Sequence, residues 1–453
     1  MITRRRPTEL DRQWQVVLLI AALPFLAAAV VVFGGVRGAV IAAGMVVSAV
    51  VLVRRHAIRV AFETALTLGA FTLTWTALRV RLNLTPSDLL LTFAAMCAVL
   101  DWFSGGARPR LPRNLQPLVV YSLLIVVGGL LGGLGAGSSP GAISNAARFG
   151  ASMIGCGIIA ASVTPSSTLR RHVMLAWCAG GAVSAVAGFT GAGIQGRSLG
   201  LADHPNHFGF SMLICVAVGA ALGADRGAPR WIRAAGLGGS ALCSIGLVMS
   251  GSRAALVGLV AGFASFLALR YGRRPLALIA IGAAVVVGFV VFPANVEFTP
   301  NSAMSRLISP DQSVAASNQA RAQRLDDALA DISRRPIVGS GFSESRQAHN
   351  IVLQLLATAG VFGLLALIAG GNYVVRSVRM AWRVRRGSRG AVSDALAAAV
   401  IGVIATMMFS TNLWDRYLLL FFWLGGAWIA HLTSNEVVTA TRRPDRTVGS
   451  TPT

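Results

Sequence analysis

The chain has 453 residues, 55% of them hydrophobic and 13% charged, with a mean hydropathy of +0.67. A soluble domain carries roughly a quarter charged residues, so this composition excludes an ordinary soluble enzyme; apolar runs of about 20 residues recur from end to end and point to a polytopic membrane protein. The net charge of +23 comes from forty arginines and no lysine, and their dispersal between the apolar runs argues against nucleic-acid binding.

Taken in order, the apolar runs predict fourteen spans, at about 14–33, 36–53, 60–78, 85–103, 116–136, 141–163, 172–192, 206–224, 234–250, 254–271, 275–293, 349–371, 391–411 and 416–433. The first is read as a retained helix, because no small-residue cleavage site leads from it into a soluble domain. With Arg4, Arg5, Arg6 and Arg12 in the cytoplasm, alternating connections place 27 arginines on that side and 12 on the other, with Arg148 inside the sixth span. The positive-inside rule therefore sets both ends of the chain in the cytoplasm. The expected fold is an all-α bundle of about 12–14 transmembrane helices. Residues 1–293 carry eleven of the spans, 294–348 form a long outer loop, 349–433 hold the remaining spans, and 434–453 form a cytoplasmic tail. Within the loop, 318–333 reads as an amphipathic helix with Ala322, Leu325, Leu329 and Ile332 at 3–4 spacing. Pro336 and Gly339-Ser340-Gly341 end it. The five cysteines fall in apolar runs without CxxC spacing and read as small packing residues.

The arginines that oppose the charge bias carry the functional signal. Arg79, Arg81, Arg197, Arg253 and Arg416 lie at outer helix ends or in short outer connections. Arg148 lies on the order of 10 Å below the outer end of its span at the helical rise, where an arginine costs roughly 2.5–3.5 kcal/mol on insertion scales and is expected to face a cavity or partner. Planar, permanently charged guanidinium groups suit a phosphate or pyrophosphate; the alternative is that they snorkel to headgroups or pair with Asp88, Asp203 and Asp415. Three histidines, His204, His207 and His349, share this side and are candidate proton acceptors. His204 and His207 have Pro205 between them and no adjacent third ligand. The outer acids are isolated, no DxD occurs, and Asp326 and Asp327 point apart on their helix. No metal site and no cofactor are assigned.

Three segments bear on the chemistry: Gly196-Arg197-Ser198-Leu199-Gly200 with His204-Pro205-Asn206 opening a span; Gly251-Ser252-Arg253-Ala254 between two spans; and His349-Asn350, nine residues, then Gly360-Val361-Phe362-Gly363, preceded by Arg321, Pro336 and Gly339-x-Gly341. In this order they resemble the O-antigen ligase and polymerase superfamily over roughly residues 190–370. The resemblance implies a C-type glycosyltransferase fold that moves a glycan from an undecaprenyl-pyrophosphate carrier to an acceptor hydroxyl on the outer face of a bacterial inner membrane. It implies His349 as general base, Arg197 and Arg253 on the pyrophosphate, and Arg321 or Arg324 closing over the donor. Asn350, Asn206, Arg148, Arg79 and Arg81 are further candidate substrate contacts, and Glu344 or Asp203 a candidate to orient the imidazole. The acceptor stays open among lipid, glycan and protein. The competing expectations are a polysaccharide polymerase using the same donor and a transporter of anions or lipid-linked glycans.

Overall fold

A chain crossing hydrocarbon must satisfy its backbone N–H and C=O groups without water, and a helix does so within one segment. The computed structural model describes residues 55–79, 84–104, 110–136, 140–163, 166–191, 193–194, 197–272, 312–342, 348–383, 390–409 and 416–441. Over these the chain forms α1 (Arg55–Thr72), α2 (Pro86–Phe103), α3 (Gln116–Gly135), α4 (Pro140–Ser162), α5 (Ser167–Thr190), α6 (Pro205–Ala224), α7 (Arg230–Met249), α8 (Arg253–Tyr271), α9 (Gln312–Arg334), α10 (Ile351–Arg383), α11 (Gly390–Met407) and α12 (Arg416–Thr441). Two-residue strands β1 (Gly193–Ile194) and β2 (Arg197–Ser198) pair antiparallel before α6. Among the described residues ten helices, α2 to α8 and α10 to α12, are long and apolar enough to cross a membrane. The protein is a multi-pass all-α membrane bundle.

The spans expected at 14–33, 36–53 and 275–293 lie outside the described residues. The run expected at 60–78 is shifted: α1 stops at Thr72, and it is not among the ten, carrying Arg59 and Glu63 on its length. Residues 73–79 turn instead of continuing because partners hold them. Thr74 Oγ1 and Trp75 Nε1 both donate to Gly180 O of α5, each at 3.3 Å, and the Ala77 amide donates to Leu201 O at 3.0 Å.

Helix association in hydrocarbon relies on close packing of small residues. α8 and α11 meet in this way, with Gly258 against Gly402 and Thr406, and Gly262 against Ala398. A Cβ on Gly258 would come within 2.6 Å of Gly402 O. Gly258 and Thr406 are level, so the start of α8 and the end of α11 share one end of the bundle. Polar contacts at the other end are of a different kind: Arg170 and Arg171 grip Asp225, Arg376 donates to Arg113 O, and Arg59 donates to Ser162 O.

The sequence leads one to expect a continuous helix over 349–371, and here the structure corrects the expectation. α10 consists of two arms, 351–359 and 361–383, broken at Gly360 (φ 56°, ψ −130°), a backbone conformation open to glycine. The break frees carbonyls, and the segment after α9 satisfies them. The Ser340 amide donates to Ala357 O at 2.8 Å and that of Gly341 to Thr358 O at 3.0 Å, while Val361 N donates back to Ile337 O at 3.0 Å. Residues 336–342 fit there because α3 presents glycines: a Cβ on Gly132 would sit 2.5 Å from Val338 O, and one on Gly129 would strike the Phe342 ring. Gly360→Ala is therefore expected to cost about 1–3 kcal/mol in backbone strain alone, with a further clash against Ile337 O. A lowered melting temperature in detergent is the expected result; a wild-type melting curve would contradict the role given to the break.

Candidate active site

Arg197 is held by two elements at once. Its strand position brings it beside the turn between α7 and α8, where Nε donates to Ser250 O at 2.9 Å and Nη2 to Asn206 Oδ1 at 2.7 Å. These bonds fix the plane of a guanidinium that is 8% exposed. Asn206, a candidate substrate contact from sequence, is thus the residue that orients Arg197. The turn itself is built by Gly251 at φ 63° and by Ser252, whose side chain caps α8. Arg253 is the first residue of α8, where the unpaired amides of a helix start favour anions.

Asp203 gathers a second group. Its carboxylate accepts from Thr76 Oγ1 at 2.9 Å, pairs with Arg79, and meets His207 Nδ1 at 2.7 Å. Burial raises its pKa, but the hydrogen bond and charge of His207, with the bonds from Thr76 and Arg79, outweigh this and hold the carboxyl far below the usual range. Arg79 is therefore tethered to an acid, the alternative open from sequence, and Asp203 orients His207 and not His349. His204 caps α6 by accepting the Asn206 amide at Nδ1, 3.1 Å. Its ring lies 5.4 Å from that of His207.

His349 stands before the short arm of α10 in the left-handed region, φ 49°, where a non-glycine residue is uncommon. Two side chains keep it there. Asn350 Oδ1 accepts the amides of Val352 and Leu353 at 2.9 and 3.3 Å and Nδ2 donates to Met408 O at 3.1 Å; buried Gln354 accepts the Ala348 amide at 2.8 Å. Asn350, expected on the substrate, is engaged as helix cap and as tether to the end of α11. Gln354 was missed in the sequence; its signal is an amide inside an apolar run, four residues after Asn350.

The imidazole of His349 meets α9. Arg324 Nη1 lies 2.5 Å from His349 Nε2. Burial first, then the charges of Arg324 and Arg321 and the neighbouring His204, push the His349 pKa down to about 4. His204 is pushed down to about 4 by burial, then by His207, Arg197 and Arg324. The Arg197 group and the His349 group lie at the same end of the bundle: Arg197 bonds the turn that opens α8, and Asn350 bonds Met408 O at the end of α11.

α9 is longer than expected, and its facing is corrected. Of Ala322, Leu325, Leu329 and Ile332, read as the apolar face, the first three are exposed and Ile332 is partly buried, as are Arg321 and Arg324; Ala328 and Asp331 are buried. The covered face carries Arg324 to the His349 imidazole; Ala328 and Ile332 seat it on Ala348, Leu353 and Ala357. Below the short arm lies an apolar cavity of about 380 Å³, roofed by Ile351, Val352 and Leu355 and walled in part by Tyr121, Met407 and Phe422.

Arg148 is not gathered with these residues. Its side chain is exposed on α4. Arg81 and Glu344 lie outside the described residues. Among the described residues no cluster of three histidine, cysteine, aspartate or glutamate side chains is arranged to hold a metal ion.

The similarity to known proteins lies between the middle of α7 and the long arm of α10. Residues 238–368 match an O-antigen ligase domain. The match takes in Arg253, α9, His349 and the break at Gly360, and covers less than a third of the chain. Arg197, Asp203 and His204 lie outside the matched residues, on β2 and in the segment that leads into α6. No curated protein matches the chain.

Proposed function

We propose that this protein is a glycosyltransferase that moves a glycan from an undecaprenyl-pyrophosphate carrier to an acceptor hydroxyl on the extracytoplasmic side of a bacterial inner membrane. The observation that carries the reading is the contact of His349 with Arg324 at the end of the bundle where Arg197 bonds the turn that opens α8 at Arg253. The ligase domain supplies the substrate class, a lipid-linked glycan.

In this reading His349 takes the proton of the acceptor hydroxyl, and the oxygen attacks the anomeric carbon of the donor sugar. The bond from that carbon to the pyrophosphate oxygen breaks, and the lipid pyrophosphate leaves with the electron pair. Arg197 and Arg253 stabilise the charge that gathers on it. The apolar cavity below the short arm gives room to hydrocarbon of a lipid substrate. A neutral imidazole is the form that accepts a proton, and a low pKa keeps His349 in that form across the physiological range.

Purified protein in proteoliposomes, given a lipid-linked glycan and candidate acceptors, tests this. One glycan block joined to a different acceptor, with release of lipid pyrophosphate, is the expected product. A ladder of repeats on the original carrier would make the protein a polymerase. Movement of intact donor across the bilayer with no new bond would make it a transporter and end the enzyme reading.

A further inference from the structure

A guanidinium donates hydrogen bonds and does not accept them. The 2.5 Å contact from Arg324 Nη1 to His349 Nε2 therefore fixes the tautomer: Nε2 holds the lone pair and Nδ1 the proton. The lone pair that would take the acceptor's proton is covered. Turnover through Nε2 cannot keep this contact, since protonation would set an imidazolium against a guanidinium at hydrogen-bond distance. Among the described residues, the titratable and charged groups acting on His349 are Arg324 and Arg321 from α9 and His204 from the segment before α6. The two arginines repel a proton arriving on the ring, and a protonated His204 would do the same; an anion placed among them would reverse that field.

We infer that Arg324 is a positioning residue that covers the base nitrogen of His349 and leaves it for the pyrophosphate of the donor, so that the base is uncovered when the donor is in place. The inference rests on the reading of His349 as general base. The movement needs no shift of α9, because the helix is seated through Ala328 and Ile332 and the arginine stem can change rotamer on its own. A pyrophosphate is the natural competitor for the fork, as it offers bidentate, charge-assisted bonds where a neutral imidazole offers one. Donor binding and the proton affinity of His349 are then coupled, and the coupling is reciprocal. Donor before acceptor is the resulting order.

The test is ¹⁵N-histidine solid-state NMR of the full chain in bilayers, with the His349 signal assigned from its loss in His349→Gln, titrated with and without undecaprenyl pyrophosphate as the probe. Without the probe His349 is expected as the Nδ1–H tautomer; with it, the titration midpoint is expected to rise by about one unit or more, toward the ordinary value of about 6.5. Arg324→Gln is expected to start near the raised midpoint and to respond little, and Arg324→Lys to keep part of the response. An Nε2–H tautomer without the probe, an unmoved wild-type midpoint, or a wild-type response in Arg324→Gln would each overturn the inference. If the titration responds as expected but His349→Gln transfers glycan at the wild-type rate, the base assignment falls and the cover stands. If transfer depends on His349 while its titration ignores the probe, the cover falls and the base stands.

Discussion

His349→Ala is expected to lower glycan transfer by about 10²–10⁴-fold, the usual worth of a positioned general base, while donor binding persists. The split follows from the geometry. The imidazole sits at the entrance of the short arm, held at φ 49° by the Asn350 cap and the Gln354 bond to Ala348. The Arg197 bonds to Ser250 and Asn206 do not involve it. Rates and donor affinity measured on one reconstituted preparation check this, with melting temperature as the control for folding. Full activity in the variant would remove the base from the mechanism.

Arg253→Lys is expected to lower transfer by about 10²–10³-fold, on the scale of removing one donor to a developing negative charge. Lysine keeps the charge but loses the planar fork that meets two phosphate oxygens at once. Arg253 has further reason to be exacting, because it is the first residue of α8 and its stem leaves a turn fixed by Gly251 and Ser252. The comparison that matters is with Arg79→Lys. Arg79 is half-exposed and tethered to Asp203, so its replacement is expected to change transfer several-fold at most. Equal losses in the two variants would contradict the distinction drawn between them.

Much of the bundle was legible in the sequence, because an apolar run of spanning length has few stable alternatives to a helix. The expected spans from 85–103 to 254–271, and those at 349–371, 391–411 and 416–433, each have a helix. What was not legible depended on tertiary partners. Gly360 stands out in sequence only as part of the Gly360-Val361-Phe362-Gly363 motif inside an expected span; the break of α10 there depends on residues 336–342 arriving to bond the freed carbonyls. The stripe of Ala322, Leu325 and Leu329 on α9 has the right period for a buried face, yet the covered face carries Arg324, since there the burial is against a polar site. Arg79 and Arg197 look alike as outer arginines. One meets a carboxylate and the other a carbonyl and an amide oxygen, which no spacing rule distinguishes. Asn206 and Asn350 were read toward substrate and are occupied in holding Arg197 and the short arm.

The central claim is that guanidinium groups from α8, α9 and the β2 strand share one anion with His349 beside them. The most direct measurement is an electron cryomicroscopy map of the protein with undecaprenyl pyrophosphate bound in a lipid nanodisc. Pyrophosphate density within hydrogen-bond distance of Arg197, Arg253 and Arg324, with His349 Nε2 released from Arg324 and facing it, is the predicted result. A lipid pyrophosphate bound away from these side chains, with Arg324 still on His349, would contradict the account.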